Sequence, residues 1–577
     1  MMANRTIMAL LCLLLSTRGI AQQVSLQDSM LQTGHYVIED SILISTKDNA
    51  KVSALMVRRK DQSEPLPVIF QFTIYARKTD LRKAKDAADR GYVGVIAYTR
   101  GKRYSSGEIV PYVYDGRDAY DVIDWISRQS WCNGKVGMMG GSYNGFTQWA
   151  AAKKLHPALK TIVPSASAAP GIDVPMMNNV FMSFPFPWIY YVTNNRWLDN
   201  EDYNSPHWGA LTQDWFDKGL SYRKLDSLLG RGRNGIFQAW LDHPSYDAYW
   251  RSMIPYKEEF SKIEIPVLTT TGYYDGGQIG ALYYMREHMK YNPGANHYLL
   301  IGPYGHFGSQ GYPDTVYNGY AIDEAAKVPI HQLIYQWFDY ILKGKLKPAF
   351  LQDKVNYEVM GANVWKRASS LQDVSSDHIT FYLDQQQTPL LETSRPADLR
   401  YSKIEVDFSD RSTQHHYYYN FQTIWDSILD GGGAMYVSRP LEKDLDLAGC
   451  FSGEMQVIIN KKDMDYSLVL FEQMPDGRCF YLSYFMGRAS YARTNTDRKL
   501  LTPGKKSSLP FDNSYFVSKR LQKGNRLVLL VNANKTPREQ INYGTGKDVS
   551  TETIADAREP LRIQVLNTSF IRLPISN

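Results

Sequence analysis

At 577 residues and about 150 residues per domain, the chain is too long for one compact core. Its 44% apolar and 21% charged residues are ordinary globular usage and exclude a disordered, collagenous or coiled-coil protein. A net charge of +6, with Lys and Arg scattered among acids, leaves too small an electrostatic footprint for a nucleic-acid partner. The unusual feature is 13% aromatics, with 41 Tyr and 12 Trp, which calls for large packed surfaces and an aromatic pocket.

Residues 1–21 read as an export signal. Arg5 is the positive flank, Ile7 to Leu15 is an unbroken apolar run, and Gly19 and Ala21 are the small residues of a cleavage after Ala21. That run is too short to span a bilayer, and no later segment reaches the roughly 20 apolar residues a membrane helix needs. A secreted or periplasmic protein without a membrane span is therefore expected. Acylation at Cys12 would need a small residue before it, and Leu11 is not small. The mature chain keeps Cys132, Cys450 and Cys479 at wide spacing, which offers neither a disulfide framework nor a CxxC metal site. No metal or organic cofactor is expected.

From Lys51 to about Gly145, strand-length apolar runs (Lys51 to Val57, Leu66 to Phe72, Tyr92 to Tyr98, Lys135 to Met139) alternate with helical spacing over Leu81 to Arg90 and Ala119 to Ser127. Asp80 and Asp118 are placed as N-terminal acids. Strands alternating with helices imply a mostly parallel sheet with helices on both faces. The pattern resumes at Ile265 to Thr271 and His297 to Ile301 and continues into a helix from about Ile330 to Leu342. Between the two blocks, residues 169–261 are rich in Pro, Asn and rings such as Phe186, Trp188, Trp208 and Trp240; they predict a helical cap. After residue 346 short alternating runs separated by Gly, Asp, Asn and Pro predict an all-β jelly roll. The expected organisation is α/β layers over 22–168 and 262–346, a cap over 169–261 and a jelly roll over 347–577.

The decisive segment is the strand Lys135 to Met139 running into Gly140-Gly141-Ser142-Tyr143-Asn144-Gly145 and then a helix. A serine on so sharp a strand-to-helix turn needs small neighbours; this is the layout of a nucleophile elbow. The spacing departs from G-x-S-x-G, with Asn144 at the position of the second glycine; Asn tolerates strained backbone angles better than most residues. A seryl hydroxyl needs a general base oriented by an acid. Both follow later strands: Asp275 in Gly272-Tyr273-Tyr274-Asp275, and His306 in Gly302-Pro303-Tyr304-Gly305-His306. His331, His288 and His243 compete less well as the base, and Asp275 could instead be a turn-forming residue before Gly276-Gly277. An oxyanion needs two donors. The backbone N–H of Tyr143 is one; the hydroxyl of Tyr75, on the loop after Pro67 to Phe72, is a candidate for the other, with plain packing as the alternative. Tyr274, Gln278 and Trp188 are candidates for the substrate pocket.

Together these segments resemble the Xaa-Pro dipeptidyl-peptidase and cocaine esterase family of serine hydrolases, which includes α-amino acid ester hydrolases and glutaryl-cephalosporin acylases. The resemblance runs from about Lys51 to Leu573 and rests on W-C-N-G-K-V-G-M-M-G-G-S-Y-N-G-F-T-Q at 131–148, W-L-D-H-P-S-Y-D-A-Y-W at 240–250, G-Y-Y-D-G at 272–276, I-G-P-Y-G-H at 301–306, P-L-E-K-D-L-D-L-A-G at 440–449 and P-D-G-R at 475–478. It implies an α/β-hydrolase fold with a cap and a C-terminal jelly roll, a Ser142, Asp275, His306 triad, and an oxyanion hole from Tyr143 N–H and the Tyr75 hydroxyl. The departures bear on substrate. Amino ester hydrolases carry two acids just after the triad Asp, where this chain has Gly277 and Gln278. The usual Pro before the oxyanion Tyr is Ile74, and the usual Asp-Val-Arg-Gly reads Tyr98-Thr99-Arg100-Gly101.

The resulting expectation is a serine hydrolase that cleaves a small-molecule ester or amide, with a short-peptide dipeptidyl-peptidase as the alternative. The latter needs an acid for the substrate ammonium, such as Glu201 or Asp202. From another class, a carbohydrate-binding or scaffold protein would use the jelly roll and leave the body inactive. The jelly roll also leaves assembly into a homo-oligomer open.

Overall fold

The structure is a computed structural model that describes residues 33–412 and 422–576; the expected leader, residues 1–21, lies outside them. The α/β body is built on a ten-stranded sheet. Its first half comprises β1 (Tyr36–Ser45), β2 (Lys51–Arg59), β3 (Leu66–Thr73), α1 (Asp80–Asp89), β4 (Val93–Tyr98), α2 (Asp115–Ser127), β5 (Cys132–Gly141), α3 (Tyr143–Lys153) and β6 (Leu159–Ser165). After the cap come β7 (Val267–Tyr274), α7 (Gln278–Tyr291), β8 (His297–Gly305), α8 (Ile330–Lys343), β9 (Val355–Val359) and β10 (Val364–Ala368), the cap itself supplying α4 to α6. The strand order is β1-β2-β4-β3-β5-β6-β7-β8-β9-β10. Pairings from β4-β3 through β8-β9 are parallel. The edges are antiparallel: β1 and β4 flank β2, and β10 pairs with β9.

Burial explains the sequence pattern. Strands β4, β7 and β8 are buried along their whole length, as expected of parallel strands covered on both faces, which read as continuous apolar runs. The expected body ended at residue 346. The sheet instead continues to Ala368, because β9 adds in parallel to β8 through Leu299, Leu300 and Ile301.

The insertion forms a helical cap, with α4 (Pro185–Thr193), α5 (His207–Lys218) and α6 (Gly235–Leu241) as its main elements, and also a short hairpin, Met176–Met177 with Val180–Phe181, at its root. Proline at the start of α4 fits the first helical turn, where its missing N–H costs nothing. Asn234 caps α6 by accepting from Phe237 N. Phe186, Trp208 and Phe237 pack edge to face in the cap interior.

Beyond Ala368 the described residues are mostly β, from Asp377–Gln385 to Phe570–Ile575, with short helical turns at Ala489–Tyr491, Val549–Thr551 and Ile554–Ala557. Its pairings are antiparallel apart from Leu390 and Leu391 beside Val437 and Ser438, which run parallel. A buried ion pair marks where this unit meets the cap root. Asp465 and Arg488 face each other across neighbouring strands, their side chains 1% and 2% exposed, joined at 2.8 and 2.9 Å. Gln540 and Asn542 complete the network. The same strand end receives Asn178 of the cap hairpin, whose amide donates to Met486 O at 2.7 Å.

Removing one partner of a buried, hydrogen-bonded pair strands the other charge without solvent. Arg488→Met should therefore cost about 3–5 kcal/mol, read as a fall in the denaturant midpoint. Wild-type stability in that variant would show that the network contributes nothing net.

Candidate active site

The elbow follows from local crowding. Ser142, between β5 and α3, has φ 61° and ψ −123°, a strained backbone that is uncommon outside functional sites. A Cβ on Gly141 would lie 2.0 Å from Gln310 Oε1, and one on Gly145 would lie 2.8 Å from Ser167 Cα. Glycine is thus needed three residues after the serine rather than two, and Asn144 fits between, buried at the foot of α3. The odd spacing of the motif is a packing requirement of this turn.

Asp275 and His306 meet at the same sheet edge. Register pairs Gly141 with Ser165, Ser165 with Thr270, and Gly305 with Tyr274, so the carboxyl ends of β5 to β8 lie side by side. His306 Nδ1 is 2.7 Å from Asp275 Oδ1. Asp275 is fully buried. Its Oδ1 also accepts from Gly277 N at 2.8 Å and its Oδ2 from Thr271 Oγ1 at 2.7 Å. Burial draws the His306 imidazole pKa down, and the Asp275 charge and hydrogen bond more than offset it, so the ring holds its proton above the usual range.

Two further ties fix the base against the nucleophile, and sequence reading missed both. Gln310, packed on Gly141, donates its amide to His306 O at 2.6 Å. Thr270 Oγ1 contacts Ser165 Oγ and donates to Ser309 O, each at 2.7 Å, while Ser165 O accepts from Ser142 N at 3.0 Å. With Nδ1 on Asp275, Nε2 is left for the reaction. Among the described residues no hydrogen bond joins it to Ser142, as is common before substrate tightens a catalytic site. The competing histidines are engaged elsewhere: His331 on Asp86, His243 on Asp247, and His288 on His297 and Ile263 O.

The comparisons with known proteins give the family. The model of the X-Pro dipeptidyl-peptidase (S15 family) matches residues 48–308, and that of the X-Pro dipeptidyl-peptidase C-terminal non-catalytic domain matches 351–564. The chain belongs to the X-Pro dipeptidyl-peptidase S15 family of serine hydrolases. It is similar to cocaine esterase of Rhodococcus sp., 25% identical over 564 residues, covering 91% of this chain and 95% of the relative. Among solved structures, an aminopeptidase from a marine sediment Thaumarchaeota archaeon superposes with TM-score 0.79 at 20% identity, over 94% of this chain and 97% of that one. An α-amino acid ester hydrolase superposes with TM-score 0.77, also at 20% identity and with the same coverage. These two likenesses show the fold.

In this S15 hydrolase the two oxyanion candidates lie next to the serine, Tyr143 in sequence and Tyr75 by packing its ring on that of Tyr143. Tyr143 is the first residue of α3, where a backbone N–H has no intrahelical acceptor. Its phenol is held below the site, donating to Asp115 Oδ2 at 2.8 Å and accepting from Tyr112 N at 3.0 Å. Burial pushes the Asp115 carboxyl up to about 7. The Tyr75 hydroxyl accepts from Trp188 Nε1 at 3.2 Å, and the nearby Ser142 hydroxyl opposes the rise that burial gives its pKa.

The three pocket candidates separate. Trp188, from α4, stands over the site and stacks on Tyr112 and Trp240. Tyr274 is buried away from it, stacked on Tyr317 with its hydroxyl on Met360 Sδ. Gln278 is fully buried at the junction with the β unit. Its amide donates to Gly272 O and Phe516 O at 2.9 Å and accepts from Phe516 N at 2.7 Å. The expectation that Tyr274 and Gln278 line the pocket is corrected accordingly: one packs and the other clamps. Among the described residues no group of three His, Cys, Asp or Glu side chains could hold a metal ion, and no helix is long and apolar enough to cross a membrane.

Gln278→Leu should leave the Phe516 backbone groups unpaired and cost about 1–3 kcal/mol, lowering the thermal midpoint with little change in KM for a small ester. A raised KM at unchanged stability would return Gln278 to the substrate pocket.

Proposed function

We propose that this S15-family hydrolase is an exported enzyme that cleaves an ester or amide through an acyl-enzyme on Ser142. What carries the reading is the strained Ser142 elbow beside a His306–Asp275 pair at 2.7 Å on one sheet edge. The resemblance of residues 1–21 to a signal segment supports the export. In the first half-reaction Ser142 Oγ bonds to the substrate carbonyl carbon, its proton passes to His306 Nε2, and the carbonyl π pair moves onto oxygen. Tyr143 N–H and the Tyr75 hydroxyl receive that charge. Asp275 holds the tautomer and stabilises the imidazolium. Collapse breaks the bond to the leaving group, which takes the proton from His306. Water then repeats the sequence and releases the acid.

The acyl side is read as uncharged. Asp202 binds Arg231 with both oxygens, at 2.6 and 2.9 Å, and Glu201 is exposed. Asp173, at the cap root, accepts from Ala169 N and Gly280 N, and burial pushes its carboxyl up to about 7. Asp202 and Asp173 are thus engaged and Glu201 faces solvent, which sets the dipeptidyl-peptidase reading second. Paired chromogenic substrates with free and acylated amines separate the two: faster turnover of the free amine would reverse the order.

Ser142→Ala should abolish hydrolysis of activated esters while the thermal midpoint stays put; unchanged turnover by a pure sample would remove the acyl-enzyme. The base works only when neutral, and Asp275 raises the His306 pKa. Activity should therefore rise with pH through a limb above about 6.5. Asp275→Asn should move that limb to lower pH and cut kcat by about 10⁴. A limb that stays in place would remove His306 as the titrating group.

A further inference from the structure

The indole of Trp188 meets the phenol of Tyr75 in one direction only. Tryptophan is a donor without an acceptor, whereas a phenol carries one proton and accepts through oxygen. At 3.2 Å the indole N–H therefore occupies the acceptor side of the Tyr75 oxygen. The phenol proton cannot point back at the indole. The Ser142 side chain lies near enough to the phenol to lower its pKa against burial, and Tyr75 also packs edge to face on Tyr143, the residue after the serine. Neither ring can easily turn away: Trp188 is stacked on Tyr112 at 5.9 Å and 20° and on Trp240 at 6.5 Å and 26°, and it meets Tyr75 nearly edge-on, at 85°. Both residues are half-buried, so the contact is partly sheltered from water.

We propose that Trp188 is a positioning residue acting through Tyr75: by donating to the phenol oxygen, the cap commits the phenol proton to the substrate oxygen that becomes negative when Ser142 attacks. The inference rests on the acyl-transfer reading above. Accepting one hydrogen bond makes a hydroxyl a better donor of its own, and that gain matters most where charge develops in the transition state. Burial raises the Tyr75 pKa, and the Trp188 hydrogen bond and the nearby Ser142 hydroxyl oppose it, the direction a stronger donor requires. Tyr75 keeps its proton throughout, so the atom balance of the acyl transfer is unchanged. An effect confined to the transition state lowers kcat and leaves KM nearly alone.

The decisive variant replaces Trp188 in the full chain with 3-benzothienylalanine, which keeps the bicyclic ring and lacks the N–H; Trp188→Phe is the genetic counterpart. Each is measured on a small activated ester, alone and in a Tyr75→Phe background. The expected result is a fall in kcat of about 10-fold with KM within about twofold, a thermal midpoint like wild type, and no further fall when Tyr75 is already Phe, since the interaction then has nothing to act on. An undiminished kcat in the benzothienyl variant would overturn the inference. So would an equal loss in the Tyr75→Phe background, which would mean that the ring contacts substrate directly, or a harmless Tyr75→Phe change. Failure of the acyl-transfer reading shows separately, as turnover surviving in Ser142→Ala.

Discussion

Burying a carboxylate without solvent is costly unless every oxygen finds donors, and this molecule does so at one point that organises the rest. Asp275 has no exposed surface, yet it receives the His306 ring, the Gly277 amide and the Thr271 hydroxyl. Those three donors come from the end of one strand, the turn after it and the loop after the next. They converge only if neighbouring parallel strands keep their register. Ser165, between β5 and β7, extends the same condition to the nucleophile, because it touches both Ser142 and Thr270. Slipping any of these strands by one residue would invert its faces and dissolve the cluster.

The other two units bear on this core from above and from the side. The cap contributes rings, and Trp188 ties it by one hydrogen bond to Tyr75, whose ring packs on Tyr143 next to the serine. The β unit is clamped to the body by backbone groups: Phe516 through Gln278, and Gly276 through Tyr515. Both clamps fall within three residues of Asp275. The helix that starts there is thus held from outside the body, and the turn carrying the acid is held with it.

Much of this was legible in the chain. Ser142, Asp275 and His306 each follow a sheet strand in a glycine-bearing turn, and that signature is local. Gln278 shows where legibility stops. Its nearness to Asp275 in sequence suggested the pocket, but its partner Phe516 lies 238 residues away, and no local pattern announces such a contact. Tyr274 misled in the same way: the residue before the acid faces the packed junction. Gln310 could have been noticed, one helical turn beyond His306, but only the close approach of Gly141 gives it a role. The limit of the body at 346 failed because β9 and β10 carry as much alternation as the strands of the β unit; what distinguishes them is their neighbour, β8, not their composition.

All three residues that perform the proposed reaction are borne by the α/β body, whereas the aromatic roof over them comes from an insertion between two of its strands. Reactivity and selectivity are therefore written on separate stretches of polypeptide. The roof can be rebuilt, by drift or by an engineer, to admit other acids while the relay beneath stays as it is. The one seam in that division is the indole resting on the phenol, so a redesigned roof that omits a donor there would inherit a slower machine.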